Sequence, residues 1–340
     1  MARTGHTRAS AGSMMRLAAA GSHWWCGALL CWLLVAGAQA EADRPPAPAG
    51  CPPQATVLSP AQLQQGQREA RDRGFLWRIT RDGRSSHLYG TLHVGRWHWM
   101  FPGPQVATAL AASDLVALEL DLLDPAIQRR LATAMAADPA APLPAPLATR
   151  LGAQLDVACL VEPAMRALAP EVQLAALTTL AARWDGLDPA YAIDAFLAGH
   201  ARALGKPVVS LEAPEMQVAL LKGDAASSRQ AIDSTLRQLE TGQARPMLVH
   251  IARVWDEGQA EELARYAQWC GCAETEADRA LLRRLLDDRN ASLADRIAVE
   301  HAAGRSVFAA VGALHMVGPA GLPALLAARG FTVQRVDWRI

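Results

Sequence analysis

The sequence carries no excess of charge of either sign. Lysine and arginine together number 33, as do aspartate and glutamate, so the formal net charge at pH 7 is zero. Lysine itself is scarce: Lys206 and Lys222 are its only occurrences, which we attribute to the base composition of the genome. Nucleic-acid-binding domains carry a clustered basic surface. The balanced charge therefore argues against a nucleic-acid partner.

No hydrophobic run is long enough to cross a membrane comfortably. The apolar run at residues 26–37 follows a basic segment and precedes Ala38-Gln39-Ala40, the small-x-small pattern of a cleavage site. These features predict a secretory signal peptide over residues 1–40, with an uncleaved membrane anchor as the alternative. We expect an exported protein, periplasmic or secreted, whose mature chain has no membrane span unless the leader is retained.

Cysteine is sparse, with six residues in the whole sequence. Those beyond the leader are Cys51, Cys159, Cys270 and Cys272. An even number in an exported protein predicts disulfides, and four cysteines allow three pairings. We favour a distant partner for Cys51, because its proline-rich surroundings otherwise have little to hold them. Free buried thiols are the alternative, whereas a zinc site lacks the second Cys or His pair that it needs.

Apolar strand-like runs alternate with helical segments, which is typical of an α/β fold. Residues 41–74 indicate a Pro/Ala-rich arm followed by a helix, and residues 75–340 indicate one α/β domain. Asp82-Gly83 between two apolar runs predicts a β-hairpin. An Ala/Leu-rich helical segment from Pro125 to Asp185 and polar-faced helices from Pro214 to about Ala303 read as a large helical insertion between two half-sheets.

One pattern occurs twice. Residues 86–95 and 309–318 each form an apolar, β-prone run that ends in Gly-x-Leu-His, and a helix-like stretch and a second apolar run follow each copy. The glycines, Gly90 and Gly312, let a strand turn sharply into a site. We expect a mixed sheet built from two related strand–GxxH–helix–strand halves and surrounded by helices. Such a sheet would place His93 and His315 together at the carboxyl ends of its strands. A structural role for each histidine is the alternative.

Glu119 is the third candidate of this site. It ends the apolar run Leu115–Leu120, where a carboxylate is costly unless it pairs with a cation. Two imidazoles and one carboxylate form a common hydrolytic metal site. The alternative is a salt bridge with Arg335, which occupies the equivalent position in the second half. Asp121 lies two residues further and would point to the same face as Glu119. It would be a second metal ligand or would orient a histidine; exposure at the strand end is the alternative.

Other candidates carry weaker signals. Glu212 follows the strand-like run Val208–Leu211. It would line the same site at the carboxyl ends of the strands, or it has a purely structural role. Arg289-Asn290 lies on a helix before the second motif, where the arginine would hold a substrate carboxylate or cap carbonyl groups. Surface positions are the default for the histidines on helices that show no partner pattern, which are His200, His250 and His301.

In these segments the chain resembles the TraB/GumN family, which includes the animal Tiki metalloproteases. The resemblance covers nearly all of residues 75–336, and its motifs are Phe75–Ile79, Leu88–Gly95, Leu118–Asp121, Leu211-Glu212, Arg289-Asn290 and Val311–Pro319. It implies an α/β sheet of two related halves with helices around it. It also implies a divalent-metal site, typically served by manganese or cobalt, whose ligands here would be His93, His315 and Glu119. Some bacterial members of the family bind or inhibit peptide pheromones.

These observations lead to one functional hypothesis and one main rival. The hypothesis is an exported hydrolase that uses manganese, cobalt or zinc to cleave peptide or other amide bonds, with His93, His315 and Glu119 as metal-binding and catalytic residues. The rival is a non-catalytic protein of the cell envelope that binds or sequesters a peptide in the same pocket. A structural envelope protein that keeps the motif for folding is a further alternative.

Overall fold

The computed structural model describes residues 50–223, 225–273 and 275–338. The signal peptide predicted at residues 1–40 lies outside these ranges, as does the first part of the arm. Within them, no helix combines the length and the apolar character that a membrane crossing requires.

The described residues form one six-stranded mixed sheet. Its strands are β1 (Phe75–Arg81), β2 (Arg84–Thr91), β3 (Leu115–Leu118), β4 (Val208–Ser210), β5 (Val307–Gly312) and β6 (Thr332–Val336). Their order across the sheet is β4-β3-β5-β2-β1-β6. β1 is antiparallel to both of its neighbours, β2 and β6, and the other pairings are parallel. The α/β class expected from the sequence is confirmed.

Helices surround this sheet. They are α1 (Pro60–Arg68), α2 (Pro104–Ala111), α3 (Pro125–Met135), α4 (Ala145–Val157), α5 (Pro163–Arg166), α6 (Pro170–Leu180), α7 (Ile193–Ala203), α8 (Pro214–Lys222), α9 (Ala225–Glu240), α10 (Ala244–Asp256), α11 (Ala260–Ala264), α12 (Tyr266–Trp269), α13 (Glu276–Leu285), α14 (Asp287–Ala302) and α15 (Leu322–Ala328). Helices α3 to α14 lie between β3 and β5 in the chain, interrupted only by the short strand β4. This segment is the helical insertion expected from the sequence.

The two halves share a local order. β2 leads through a 3₁₀ turn to α2 and β3, and β5 leads through a 3₁₀ turn to α15 and β6. The halves interlock, because β5 lies between β3 and β2 in the sheet. The second strands differ in placement: β3 pairs with β5 at the centre, whereas β6 pairs with β1 at the far edge.

The hairpin between β1 and β2 follows from its turn residues. Arg81 pairs with Arg84, so two residues make the turn, and Asp82 and Gly83 both have positive φ, at 53° and 73°. A two-residue turn with both φ positive matches the right-handed twist of the strands, and Asp-Gly is a preferred sequence for it. The hairpin prediction is confirmed.

The central strands are apolar along their whole length. β3 is buried throughout, and β5 is buried from Val307 to Val311, as expected for parallel strands covered on both faces. Trp255 of α10 is fully buried, and its Nε1 donates to the carbonyl oxygen of Gly90 at 2.7 Å. Gly74, at φ +72°, makes room for this ring, because a Cβ there would lie 2.5 Å from the indole nitrogen. This packing fixes the end of β2 from which the first motif leaves.

His301 is fully buried, so the surface position expected for it is wrong. Its Nε2 lies 3.0 Å from the carbonyl oxygen of Arg81 and therefore carries the proton. Its Nδ1 then accepts from the Ser86 hydroxyl at 2.8 Å, and Ser86 in turn accepts from the amide of Val307 at 2.9 Å. The chain of bonds joins α14 to β2 and β5. Its partners come from distant segments, so no local pattern in the sequence indicated it.

The four described cysteines form two disulfides. Cys51 pairs with Cys159 across a sequence separation of 108, which confirms the distant partner expected for Cys51. Cys270 pairs with Cys272, only two positions away. The first bond ties the arm to the end of α4, and the second closes a small loop before α13.

The two disulfides should differ in their contribution to stability. Loop-closure entropy grows with the logarithm of loop length, so the Cys51→Ala/Cys159→Ala variant should lose about 3 kcal/mol more unfolding free energy than the Cys270→Ala/Cys272→Ala variant. Urea unfolding of both variants measures the difference. Equal losses would contradict this account.

Ser86→Ala should lower the unfolding free energy by about 1–3 kcal/mol, because it leaves His301 Nδ1 and the Val307 amide buried without their partner. Ser85→Ala is the matched control, since this neighbouring serine is only half-buried and bonds the hydroxyl of Thr80. Chemical denaturation should show a small effect for the control. A comparable loss in both variants would exclude a special role for the buried network.

Candidate functional site

Three neighbouring strands end at one edge of the sheet. In the parallel register Leu118 of β3 faces Ala310 of β5, and Thr91 of β2 faces Gly312 of β5. The chain then continues from β3 into Glu119, from β5 into His315 and from β2 into His93. Because the carboxyl ends of parallel strands lie side by side, these residues emerge next to one another. Glu212 follows β4, and its amide extends the pairing by donating to the carbonyl oxygen of Glu119 at 3.0 Å.

His93 is 8% exposed and is held by a carboxylate. Its Nδ1 lies 2.7 Å from Oδ2 of Asp194, in the first turn of α7, and Asp194 also accepts from the Thr91 hydroxyl. Nδ1 therefore carries a proton, and Nε2 faces Glu119 Oε1 at 3.9 Å. Burial acts to lower the pKa of His93, but the charge of Asp194, with a smaller contribution from Glu119, raises it above the ordinary value.

His315 is 3% exposed and is held by an amide. Asn290 directs its Nδ2 to the carbonyl oxygen of Ala320 at 2.9 Å, so its Oδ1 faces His315 Nδ1 at 2.6 Å and accepts from it. His315 Nε2 accepts from Nη1 of Arg289 at 3.2 Å, since a guanidinium can only donate. Burial, and then the positive charge of Arg289, lower the pKa of His315 to about 3. This imidazole is neutral, with its lone pair on Nε2.

Glu119 is 3% exposed and ionised. Its Oε1 accepts from the amide of Gly312 at 2.8 Å, and its Oε2 accepts from Arg289 at 2.6 Å and from Gln217 at 3.3 Å. Burial acts to raise the pKa of Glu119, but Arg289, together with the nearby imidazoles, lowers it to about 2. The carboxylate thus stays charged at any physiological pH.

Gly312 lies where the three side chains meet. A Cβ on it would stand 3.2 Å from Glu119 Oε1, 3.6 Å from His93 Nε2 and 3.6 Å from His315 Cδ2. Gly90 allows the two motifs to approach each other closely, because a Cβ at this position would lie 3.2 Å from the Cα of Ala313. The structure therefore brings His93, His315 and Glu119 together, and both motif glycines make room for this convergence.

Arg289 is buried at the centre of the network. A guanidinium has five N–H donors, and each has a protein acceptor here. Nε and Nη2 donate to Glu212, Nη2 also donates to Glu119, and Nη1 donates to His315 and to the carbonyl oxygen of Leu285. All five are engaged within the protein, so in this arrangement no donor of Arg289 is directed at a substrate carboxylate, and one of them caps the carbonyl oxygen of Leu285. Glu212 holds this arginine.

Asp121 and Arg335 lie elsewhere. Asp121 is buried, but it pairs with Arg202 and accepts from the amide of Leu123, while Asp194 and Asn290 hold the two imidazoles. β3 ends at Leu118, so the alternation that would align Asp121 with Glu119 no longer applies.

The Glu119–Arg335 salt bridge is likewise wrong. Arg335 lies on β6, which three strands separate from β3 in the sheet, and pairs with Glu261 at 2.8 Å. The cation that Glu119 meets is Arg289, from the helix that precedes the second motif.

Sequence reasoning missed two residues of this network. Asp194 holds His93, and Gln217 of α8 donates to Glu212 at 2.7 Å as well as to Glu119. A carboxylate flanked by apolar residues near a helix start was the available signal for Asp194. Gln217 gave no comparable signal, because a single glutamine on a polar-faced helix is unremarkable.

His93, His315 and Glu119 are of residue types that bind divalent metals, but they are engaged with other groups of the protein. Imidazoles whose Nδ1 is fixed by a carboxylate or an amide are the usual metal-binding form, and an ionised carboxylate complements them. Nevertheless, the described part of the chain contains no group of three or more His, Cys, Asp or Glu side chains spaced to hold a metal ion. In addition, Arg289 engages both His315 Nε2 and Glu119 Oε2.

Comparison with known proteins agrees with this architecture. The model of the TraB/PrgY/gumN family matches residues 75–335, from the first residue of β1 almost to the end of β6. No curated protein and no solved structure matches the chain. Since the matched segment covers most of the sequence and contains both motifs, the chain belongs to the TraB/PrgY/gumN family.

Proposed function

We propose that this protein is an exported, metal-dependent hydrolase of peptide or other amide bonds. The observation that carries the proposal is the convergence of His93, His315 and Glu119 around Gly312, with each imidazole held through Nδ1. His93 and His315 would hold manganese, cobalt or zinc through Nε2. The metal would supply Lewis-acid polarisation of the scissile carbonyl and a lower pKa for an attacking water.

Glu119 is better suited to hold the metal than to act as the general base. A general base works best when its pKa lies near the working pH. The pKa of Glu119, about 2 beside Arg289, makes it a weak base at neutral pH but a permanently charged ligand. Its Oε1 is kept oriented by the amide of Gly312, which leaves the carboxylate little rotational freedom.

A cleft that adjoins the second motif, with both apolar and charged side chains in its lining, would accommodate part of a peptide. The cleft has a volume of about 280 Å³ and includes Leu314, Val317 and Pro319 of the second motif in its lining. The side chains of His93, His315 and Glu119 are themselves less than a tenth exposed, at 8%, 3% and 3%. Substrate would therefore reach them only when the elements that cover them move apart.

A peptide-binding protein without catalysis is the second candidate. The observation that favours it is the saturated hydrogen bonding of Arg289, which keeps two of the donor groups engaged within the protein. Both candidates would use the same edge of the sheet, so only cleavage separates them.

Manganese, cobalt or zinc added to chelator-stripped protein should raise its melting temperature. Binding at one hundred times Kd adds about 2.7 kcal/mol of stability, and His93→Ala or His315→Ala should abolish this gain. His200→Ala, on α7 and stacked against Phe196, is the matched control. Differential scanning fluorimetry measures the shift, and digestion of a peptide library tests for cleavage. An equal shift in all variants would reject the site, and binding without cleavage would favour the second candidate.

Asp194→Asn should weaken metal binding by about 10–100-fold, because the amide is a weaker acceptor for His93 Nδ1 and makes the ring a poorer ligand. Asp72→Asn is the control, since Asp72 accepts from the amides of Gln105 and Val106 at the start of α2. Isothermal titration calorimetry with cobalt gives both affinities. If Asp194→Asn and the control bind alike, Asp194 does not support a metal ligand.

A further inference from the structure

Arg289 and a metal ion require the same electron pair of His315. Nδ1 of His315 is committed to Asn290, so Nε2 holds the one in-plane lone pair of this neutral ring. That lone pair accepts from Arg289 Nη1 at 3.2 Å. A lone pair directed at an N–H group cannot at the same time coordinate a metal. The hydrogen bond and metal ligation by this nitrogen therefore exclude each other.

The same arginine also engages Glu119. Nη2 donates to Oε2 of this carboxylate at 2.6 Å, so one guanidinium spans two of the three donor groups. His93 lies on the other side of Glu119, with Nε2 at 3.9 Å from Oε1. Arg289 thus supplies from within the chain the positive charge that the carboxylate would otherwise take from an ion.

Glu212 provides a place for Arg289 to remain when these bonds open. It accepts from both Nε and Nη2, and Gln217 holds it at 2.7 Å. Only the contacts to His315 and Glu119 need to break, and the buried charge keeps a carboxylate partner throughout. A small shift of the guanidinium toward Glu212 is therefore far less costly than an unpaired buried arginine would be.

We infer, on the basis of the function proposed above, that Arg289 is an intrinsic competitor of the metal, and that Glu212 retains it when an ion takes its place on His315 and Glu119. Arg289 is a positioning residue in this scheme, since it acts through the two ligands. The arginine then partly sets the metal affinity, which is lower than His93, His315 and Glu119 would give without it.

Cobalt affinity of the purified full chain tests this competition. Visible absorption of the bound ion and calorimetry would be compared for the wild type, Arg289→Gln and Arg202→Gln. Arg202 is the matched control, because it pairs with Asp121, two residues after Glu119, and donates to the carbonyl oxygen of Ala198. Arg289→Gln should bind cobalt roughly tenfold or more tightly, because it removes both the competing donor and a nearby positive charge. Arg202→Gln should stay near the wild type.

Two further variants separate lone-pair competition from charge and guard against misfolding. The double variant Arg289→Gln/Glu212→Gln removes one charge of each sign. Any gain in its cobalt affinity must therefore come from the freed metal-binding atoms of His315 and Glu119. It should still bind cobalt several-fold more tightly than the wild type. Arg289→Lys keeps a cation beside Glu212 but lacks the planar fork that spans both ligands. It should fold and should bind cobalt more tightly than the wild type.

The outcomes discriminate between the inference and the proposed function. Equal or weaker cobalt binding by all three Arg289 variants overturns the inference alone, and Arg289 would then assist the metal by orienting Glu119. Tighter binding without peptide cleavage by any of these proteins supports the inference and removes the hydrolase. If neither the wild type nor any Arg289 variant binds cobalt, both fall.

Discussion

The parallel pairing of β5 with β3 on one side and β2 on the other is the constraint on which the rest of this structure depends. Parallel strands finish at a common edge, so whatever follows them in the sequence is placed together. Residues that lie far apart along the chain become neighbours without any direct attraction between them. The helices and the buried hydrogen bonds then fix how the side chains are oriented, but the register of these strands decides that they meet.

Charge balance is the second requirement of the site. Glu119, Glu212 and Asp194 are each less than a tenth exposed, and isolated carboxylates at such depth are strongly disfavoured. Arg289 neutralises the first two, while His93 and Thr91 satisfy the third. The site is therefore stable as a network within the protein alone. Any ligand must offer interactions that replace those it disrupts, which raises the selectivity of the site at the expense of its affinity.

The backbone and the central side chains could be predicted from the sequence to different extents. The duplicated motif, the Asp82-Gly83 turn and the apolar strands carried local signals, and the rule for parallel sheets then placed His93, His315 and Glu119 together. Their partners followed less far: Arg289 and Asn290 were candidates without these contacts, and Asp194 was missed, because no short pattern specifies how their helices pack. Asp121 was misjudged for a local reason, since β3 ends three residues before it and alternation stops there.

The strand order also determines how much of the chain must be present before the sheet is able to form. β5 separates β3 from β2, so until residues 307–312 have been made, the β4-β3 pair and the β2-β1 pair share no edge. Until then the chain carries unpaired strand edges, and its long-range contacts form late. His93, His315 and Glu119 become neighbours only when β5 and the residues that follow it, up to His315, are present. An incomplete or truncated chain would therefore be unable to assemble this site.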